Sequence, residues 1–286
     1  MSKYKIPVVI IHRTYKDYLK INLEITGINN KIYLIGDTDI EHLGLIENVT
    51  FVNINKYENE HLIKESYKYF INYSSNNKKF EWVCFERVFI LKFFMEEFKL
   101  KKIFHIDSDN ILLHDINNYQ FKKDIAYCLN KNYHKYRMSS SIHCSLLNKE
   151  FINKFIDLYN DLYINKSKFD LIREKINYHK KDGVFREGGI CDMTLYYLLY
   201  KEKIIDVQNL LSPINNEVFI NNINNGEGEE SKNQIELNIK KKIKIKKKDN
   251  KFIVHDLINN KNLQIFNIHF QGRSKILLSH FKKIYN

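Results

Sequence analysis

"KKIFHIDSDNILLHDI", residues 101–116, sets the apolar run Ile103-Phe104-His105-Ile106 against an Asp-Ser-Asp triplet and then resumes with Ile111, Leu112 and Leu113. Carboxylates repel one another and are costly to take out of water. Two of them pinned between segments that read as buried therefore need a compensating partner. Residues i and i+2 of an extended chain project to the same side, so Asp107 and Asp109 can face one divalent cation whose charge removes their repulsion. The plainer alternative is a surface turn that caps the next element. The chain supplies its own control, because "LIGDTDIEH" holds a second triplet, Asp37 and Asp39. There a glycine precedes and polar residues follow, which suits an ordinary turn.

Working outward, short β-rich apolar runs at 6–11, 32–35, 50–54 and 103–106 alternate with longer segments of helical character. The helix leading into the last of these runs, "FEWVCFERVFILKFFMEEFKL", places Phe85, Phe89 and Phe93 on one stripe and Ile90, Phe94 and Phe98 on its neighbour. The pattern predicts an α/β fold around an open, mixed but mainly parallel sheet, and such sheets bind ligands at the carboxyl ends of their strands. The Asp107-Ser108-Asp109 triplet sits at one such end.

Past residue 120 come strand-like pieces at 124–130 and 139–148, a helix around 149–164 and another opened by "GGICDMTLYYLLY". The stretch 212–262 is polar and Asn-rich. Within it an acidic loop, "NNGEGEES", precedes "IKKKIKIKKKDNKFIVHD", which reads as an exposed two-stranded hairpin turning at Asp249-Asn250. Residues 264–270, "QIFNIHF", read as one more core strand. There are no internal repeats.

Composition excludes several classes. A chain of 286 residues with 44% apolar content, two prolines and nine glycines can bury a core, and it has no apolar run long enough to cross a bilayer. The apolar run near the start is too short for a signal peptide and reads as a buried strand. Cys84, Cys128, Cys144 and Cys191 form no C-x-x-C pair, which argues against a zinc site or disulfide framework and for reduced, cytoplasmic thiols. Sequons at Asn48, Asn72 and Asn165 point weakly the other way, as an Asn-rich chain produces them by chance. The net charge of +12 suits an anionic partner: nucleic acid, a phosphorylated small molecule or an acidic membrane surface. Nucleic-acid binders interleave basic residues with stacking aromatics, and "KKKIKIKKK" has none, so no nucleic acid is expected. In "SKILLSHFKKIYN", Ile276, Leu277, Phe281 and Ile284 form an apolar face that either docks on the core or, if exposed, gives peripheral contact with an anionic membrane.

A second constellation stands near the C-terminus. In "HFQGRSK", His269, Gly272 and Lys275 follow a strand in the order H-x-x-G-x-x-K. An imidazole can complete an oxygen-rich manganese site, glycine lets backbone approach a ligand, and lysine can neutralise a phosphate.

Taken together, the D-x-D and H-x-x-G-x-x-K segments resemble the GT-A glycosyltransferases, in particular family 8, the type of glycogenin and the bacterial lipopolysaccharide galactosyltransferases. The resemblance covers residues 80–116 and 265–276. It implies a Rossmann-like nucleotide-diphospho-sugar transferase fold, with residues 1–120 as the nucleotide-sugar half and 121–286 as the acceptor half of one integrated domain. By the same resemblance Asp107, Asp109 and His269 would hold Mn²⁺ or Mg²⁺. Lys275, Gly272, Ser108 and Arg87 would meet a donor, with UDP-sugar the expected one, and His12, Thr14 and Asp37 would lie near its nucleotide. The acceptor would be a glycan, glycolipid or protein, in work such as polysaccharide biosynthesis. Where the family shows D-Q-D, this chain has "REGGICDMT", so Asp192 is either a carboxylate for sugar hydroxyls, a base, or a helix cap. "SSSIHCS", Ser139 to Ser145, reads as a sugar-contacting loop or as a hydroxyl-rich edge strand. The rival class is a catalytically silent sugar-nucleotide or nucleic-acid binding protein.

Overall fold

The computed structural model describes residues 6–130, 134–185, 188–224, 235–238, 242–249 and 251–285. Most of the acidic stretch (225–231), Lys240, Lys241, Asn250 and the Arg186-Glu187 pair lie outside the described residues.

In chain order the first half holds β1 (Val8–Ile11), α1 (Asp17–Thr26), β2 (Ile32–Gly36), β3 (Val49–Asn53), α2 (Asn55–Glu58), α3 (His61–Tyr69), α4 (Lys78–Glu97), β4 (Lys102–Ile106) and β5 (Asn110–Leu112). There follow β6 (Ala126–Leu129), β7 (Ser140–Asn148), α5 (Lys149–Tyr159), α6 (Asp170–His179), the small hairpin β8 (Lys180–Lys181) and β9 (Val184–Phe185), and α7 (Asp192–Lys201). The last part holds β10 (Gln208–Asn209), β11 (Glu217–Val218), β12 (Lys246–Lys248), β13 (Lys251–Asp256), β14 (Lys261–Ile265), β15 (Asn267–His269) and α8 (Leu278–Tyr285).

The central sheet has seven strands in the order β10-β6-β7-β4-β1-β2-β3. Every pairing is parallel except those of β7 with its two neighbours. Side chains alternate across it. Val9 and Ile35 pack with Phe85, Phe89 and Phe94 of α4, while Val8, Ile10 and Leu34 pack with Leu19 and Leu23 of α1 on the opposite face. Such double burial explains why these strands read as continuous Val/Ile runs. The fold is thus α/β with a mixed, mainly parallel central sheet, as expected.

Three expectations change on contact with the structure. "QIFNIHF" is not one strand: β14 ends at Ile265 in a separate sheet of order β11-β14-β13-β12, and β15 starts at Asn267 and pairs with β5. The "SSSIHCS" segment enters β7, which lies inside the sheet and is no edge. The C-terminal face is divided. Leu278 and Phe281 are buried with Ile25, Phe252 and Phe270, whereas Ile276 is 80% exposed and Ile284 also faces outward. The basic hairpin does form, β12 against β13, with Lys246 to Lys248 exposed. Among the described residues no helix is long and apolar enough to cross a membrane, and all four cysteines are free.

Candidate active site

The strand order reverses between β1 and β4, the place where open α/β sheets leave a crevice at their carboxyl ends. Asp107-Ser108-Asp109 leaves β4 at that point. The triplet is a turn rather than extended chain, with Asn110 N–H donating to the Asp107 carbonyl at 3.0 Å, so the carboxylates converge for a different reason from alternation along a strand. The side-chain amide of Asn22 on α1 donates to the carbonyls of Ser108 and Asn110, both at 3.0 Å, and Asn110 donates to the His143 carbonyl at 2.9 Å. Helix α1 and strand β7 therefore clasp the turn.

The antiparallel register of β15 on β5 puts His269 opposite Asn110, and Phe270 N–H donates to the Asp109 carbonyl at 2.9 Å. Ligating atoms of Asp107, Asp109 and His269 accordingly lie within 4.8 Å of one another. His269 Nδ1 is 2.6 Å from the Asn221 carbonyl, a contact that requires the proton on Nδ1 and leaves Nε2 facing Asp109 Oδ1, 3.3 Å away, as a donor to the carboxylate when protonated and a ligand atom when not. The ring is stacked on His143, centroids 4.3 Å apart. Two carboxylates and an oriented imidazole suit Mn²⁺ or Mg²⁺ in ligand type and number, with positions to spare for ligand oxygens.

Cations surround this group. Burial opposes ionisation of Asp107, yet the Arg87 guanidinium at 2.8 Å and the nearby His105 hold its carboxyl well below the usual carboxylate range. Lys275 Nζ lies 3.0 Å from Asp109 Oδ2 and over the ring of Tyr18. Burial would lower the His269 and Lys275 pKa values, but the hydrogen bond and charge of Asp109 raise both. His143 moves the other way, driven down by burial and by His269, and so stays neutral beneath it.

Arg87 also reaches Asp192 Oδ2 at 2.5 Å and gives its Nε to the Cys84 carbonyl at 3.1 Å. Three of its five N–H donors thus go to protein, and it joins Asp107 to Asp192. Asp192 is buried as the first residue of α7, with Oδ1 accepting from Met193 N–H at 2.8 Å. The glycines before it have a plain cause. Gly188 and Gly189 have φ of +66° and +122°, and a Cβ on Gly189 would stand 2.1 Å from the Tyr73 carbonyl oxygen. Ser75 N–H donates to the Gly188 carbonyl at 2.9 Å and Ile190 N–H to that of Tyr73 at 2.7 Å, which pins the segment before α4 against the start of α7.

Asp107, Asp109, Arg87, Asp192 and His269 line one cavity of about 280 Å³, together with Ser141 and His143 of β7, Asn221, Asn222 and Gln271. Gly272, with φ of +60° and open space at its Cβ, opens the turn that carries Lys275. His12 is half-buried and its pKa is lowered by burial and by Lys275, while Thr14 is exposed. Asp37 stands elsewhere, in an ion cluster with Arg13, Glu58 and Glu86 at the ends of β1 and β2. Sequence reading missed His143, Asn22 and Glu81. His143 lay in a stretch read for its hydroxyls, and Glu81 is signalled only by helical spacing, two steps of three residues before Arg87.

No protein-family model and no curated protein matches the chain. Among solved structures it is similar to the PaToxG glycosyltransferase, at TM-score 0.41 and 14% identity over 69% of each chain. It is also similar to a glycosyltransferase involved in glycosylation of the major capsid of PBCV-1, at TM-score 0.39 and 10% identity over 97% of this chain and 99% of that one. A third is the glycosyltransferase GlyE in Streptococcus pneumoniae TIGR4, at TM-score 0.33 and 15% identity over 72% of this chain and 45% of that one.

Proposed function

We propose that the chain is a metal-dependent glycosyltransferase of the family 8 type, moving a hexosyl group from a nucleotide-diphosphate sugar, UDP-sugar first, to a glycan, glycolipid or protein acceptor. The observation that carries this reading is the convergence of Asp107, Asp109 and His269 at the carboxyl end of β4, with Lys275 on Asp109. Mn²⁺ or Mg²⁺ held by those three would supply positive charge against the leaving diphosphate. Lys275, partly exposed, can turn from Asp109 to a phosphate oxygen at the same spot. Arg87 keeps Asp107 ionised and fixes it relative to Asp192, so its part is to position the carboxylates. His12, Thr14, Ser108 and Gly272 are the proposed donor contacts, with residues 1–120 as the donor half and 121–286 as the acceptor half. The nucleic-acid-binding reading finds no support at the cavity: the exposed lysines of β12 lie on a strand outside it. The outward Ile276 and Ile284 keep peripheral membrane contact from the cytoplasmic side within the proposal.

Purified protein incubated with a panel of nucleotide sugars and Mn²⁺ should release the nucleotide diphosphate from one or a few donors, UDP-sugars foremost. EDTA should abolish that release, and His269→Ala should weaken UDP binding chiefly when Mn²⁺ is present. Donor turnover that survives EDTA, or equal weakening by His269→Ala with and without metal, defeats the metal-centred reading.

A further inference from the structure

Glu81 poses at the far wall of the cavity the question that Asp107 and Asp109 pose at the near one. Its side chain is 1% exposed, on the α4 face that also carries Cys84 and Arg87. Oε1 accepts from Ser74 Oγ at 2.8 Å and from Asn76 Nδ2 at 2.6 Å. Oε2 is buried and has no hydrogen-bond partner, and among the described residues no cation pairs with the carboxyl. Burial raises its pKa, and the charge of Asp192 adds to the effect. A carboxylate oxygen buried without a donor is costly, so its retention calls for a partner that the described residues do not provide.

The neighbouring residue supplies the second observation. Phe80, in the first turn of α4, is 55% exposed although it lines the same cavity, and burial of neighbouring residues gives it no cover. An open aromatic face beside a carboxylate and a side-chain amide, Asn76, offers an apolar plane for ring C–H groups and acceptors for hydroxyls. Ser and Thr side chains of a protein acceptor have no ring to lay on that plane.

We propose that Phe80, Glu81 and Asn76 form the acceptor subsite, and that it takes a pyranose, with the ring against Phe80 and its hydroxyls toward the Glu81 carboxyl and the Asn76 amide. This rests on the glycosyltransferase reading and narrows its acceptor to a glycan or the glycan part of a glycolipid. The bridge from Gly189 to the 73–75 segment holds the subsite at a fixed distance from Asp192 and hence, through Arg87, from the metal group.

The test uses the full chain loaded with UDP and Mg²⁺, with the methyl glycosides of glucose, galactose and N-acetylglucosamine as probes in saturation-transfer NMR and a Ser/Thr-containing peptide as the control. At least one pyranoside should bind and the peptide should not. Phe80→Ala and Glu81→Gln should each weaken the pyranoside by about 10-fold or more, while UDP·Mg²⁺ affinity by calorimetry stays within about twofold; Glu81→Gln retains the oxygen facing Ser74 and Asn76, and Phe80 is a surface substitution, so both should fold. Pyranoside binding at parental affinity in both variants, or no pyranoside binding to the parent, overturns the subsite. Failure of the parent to bind UDP·Mg²⁺ instead sinks the underlying glycosyltransferase reading, and this proposal with it.

Discussion

The two Asp-x-Asp triplets differ in what the fold places opposite them. Asp37 and Asp39 follow β2, where Asp37 joins Glu58 and Glu86 around Arg13 and burial pushes its pKa up despite that arginine. Asp39 accepts only an exposed backbone N–H, that of Tyr15, at 3.2 Å. Asp107 and Asp109 follow β4, meet an oriented imidazole, and are flanked by Arg87 and Lys275. Burial thus moves the Asp37 carboxyl up, while Arg87 moves that of Asp107 down. What separates them is the cation supply from distant segments, α4 and the turn after β15, and a motif alone does not encode that supply.

The sharpest way to break the contrast is Asp109→Asn. It removes a ligand and leaves His269 and Lys275 facing a neutral amide, so metal-dependent donor turnover should fall by more than about 100-fold, beyond what loss of an outer-shell partner costs. Turnover near the parental rate would make the two triplets equivalent. Asn22→Ala tests the clasp. It strips the donor from the Ser108 and Asn110 carbonyls and should lower stability by about 1–3 kcal/mol in denaturant titration. An unchanged midpoint would mean that the turn holds itself. The smallest effect belongs to Asp39→Asn, which should shift stability by no more than about 0.5 kcal/mol and leave the Mn²⁺ requirement unchanged in a titration of turnover against metal. A large rise in that requirement would assign the metal to the wrong triplet.

Much of this architecture was legible in the chain. Apolar runs announced β1 to β4: β1, β2 and β4 are covered on both faces and so are apolar nearly throughout, whereas the edge strand β3 exposes Thr50. Apolar flanks singled out Asp107 and Asp109, and H-x-x-G-x-x-K brought in His269 and Lys275. What escaped reading depends on register between remote strands. His143 lies under His269 only because Cys144 pairs with Ile106 while His269 pairs with Asn110, two alignments that no local pattern fixes. The cause of the glycine before Ile190 is steric and equally remote in sequence, since the Tyr73 carbonyl fills the space a side chain on Gly189 would need. Asp192 reads as a carboxylate for sugar hydroxyls, a base or a cap, and its ion pair with Arg87, on another helix, is not written in either segment.

The contact at Gly189 also has a meaning for descent. Segments 72–76 and 188–192 touch backbone to backbone, so neither can change length or path without the other yielding. Relatives should have exchanged the two segments as a pair, keeping glycine where they cross and varying the side chains on either side. Variation at Phe80 and Glu81 could then proceed over a scaffold that stays put, leaving the group at Asp107, Asp109 and His269 undisturbed.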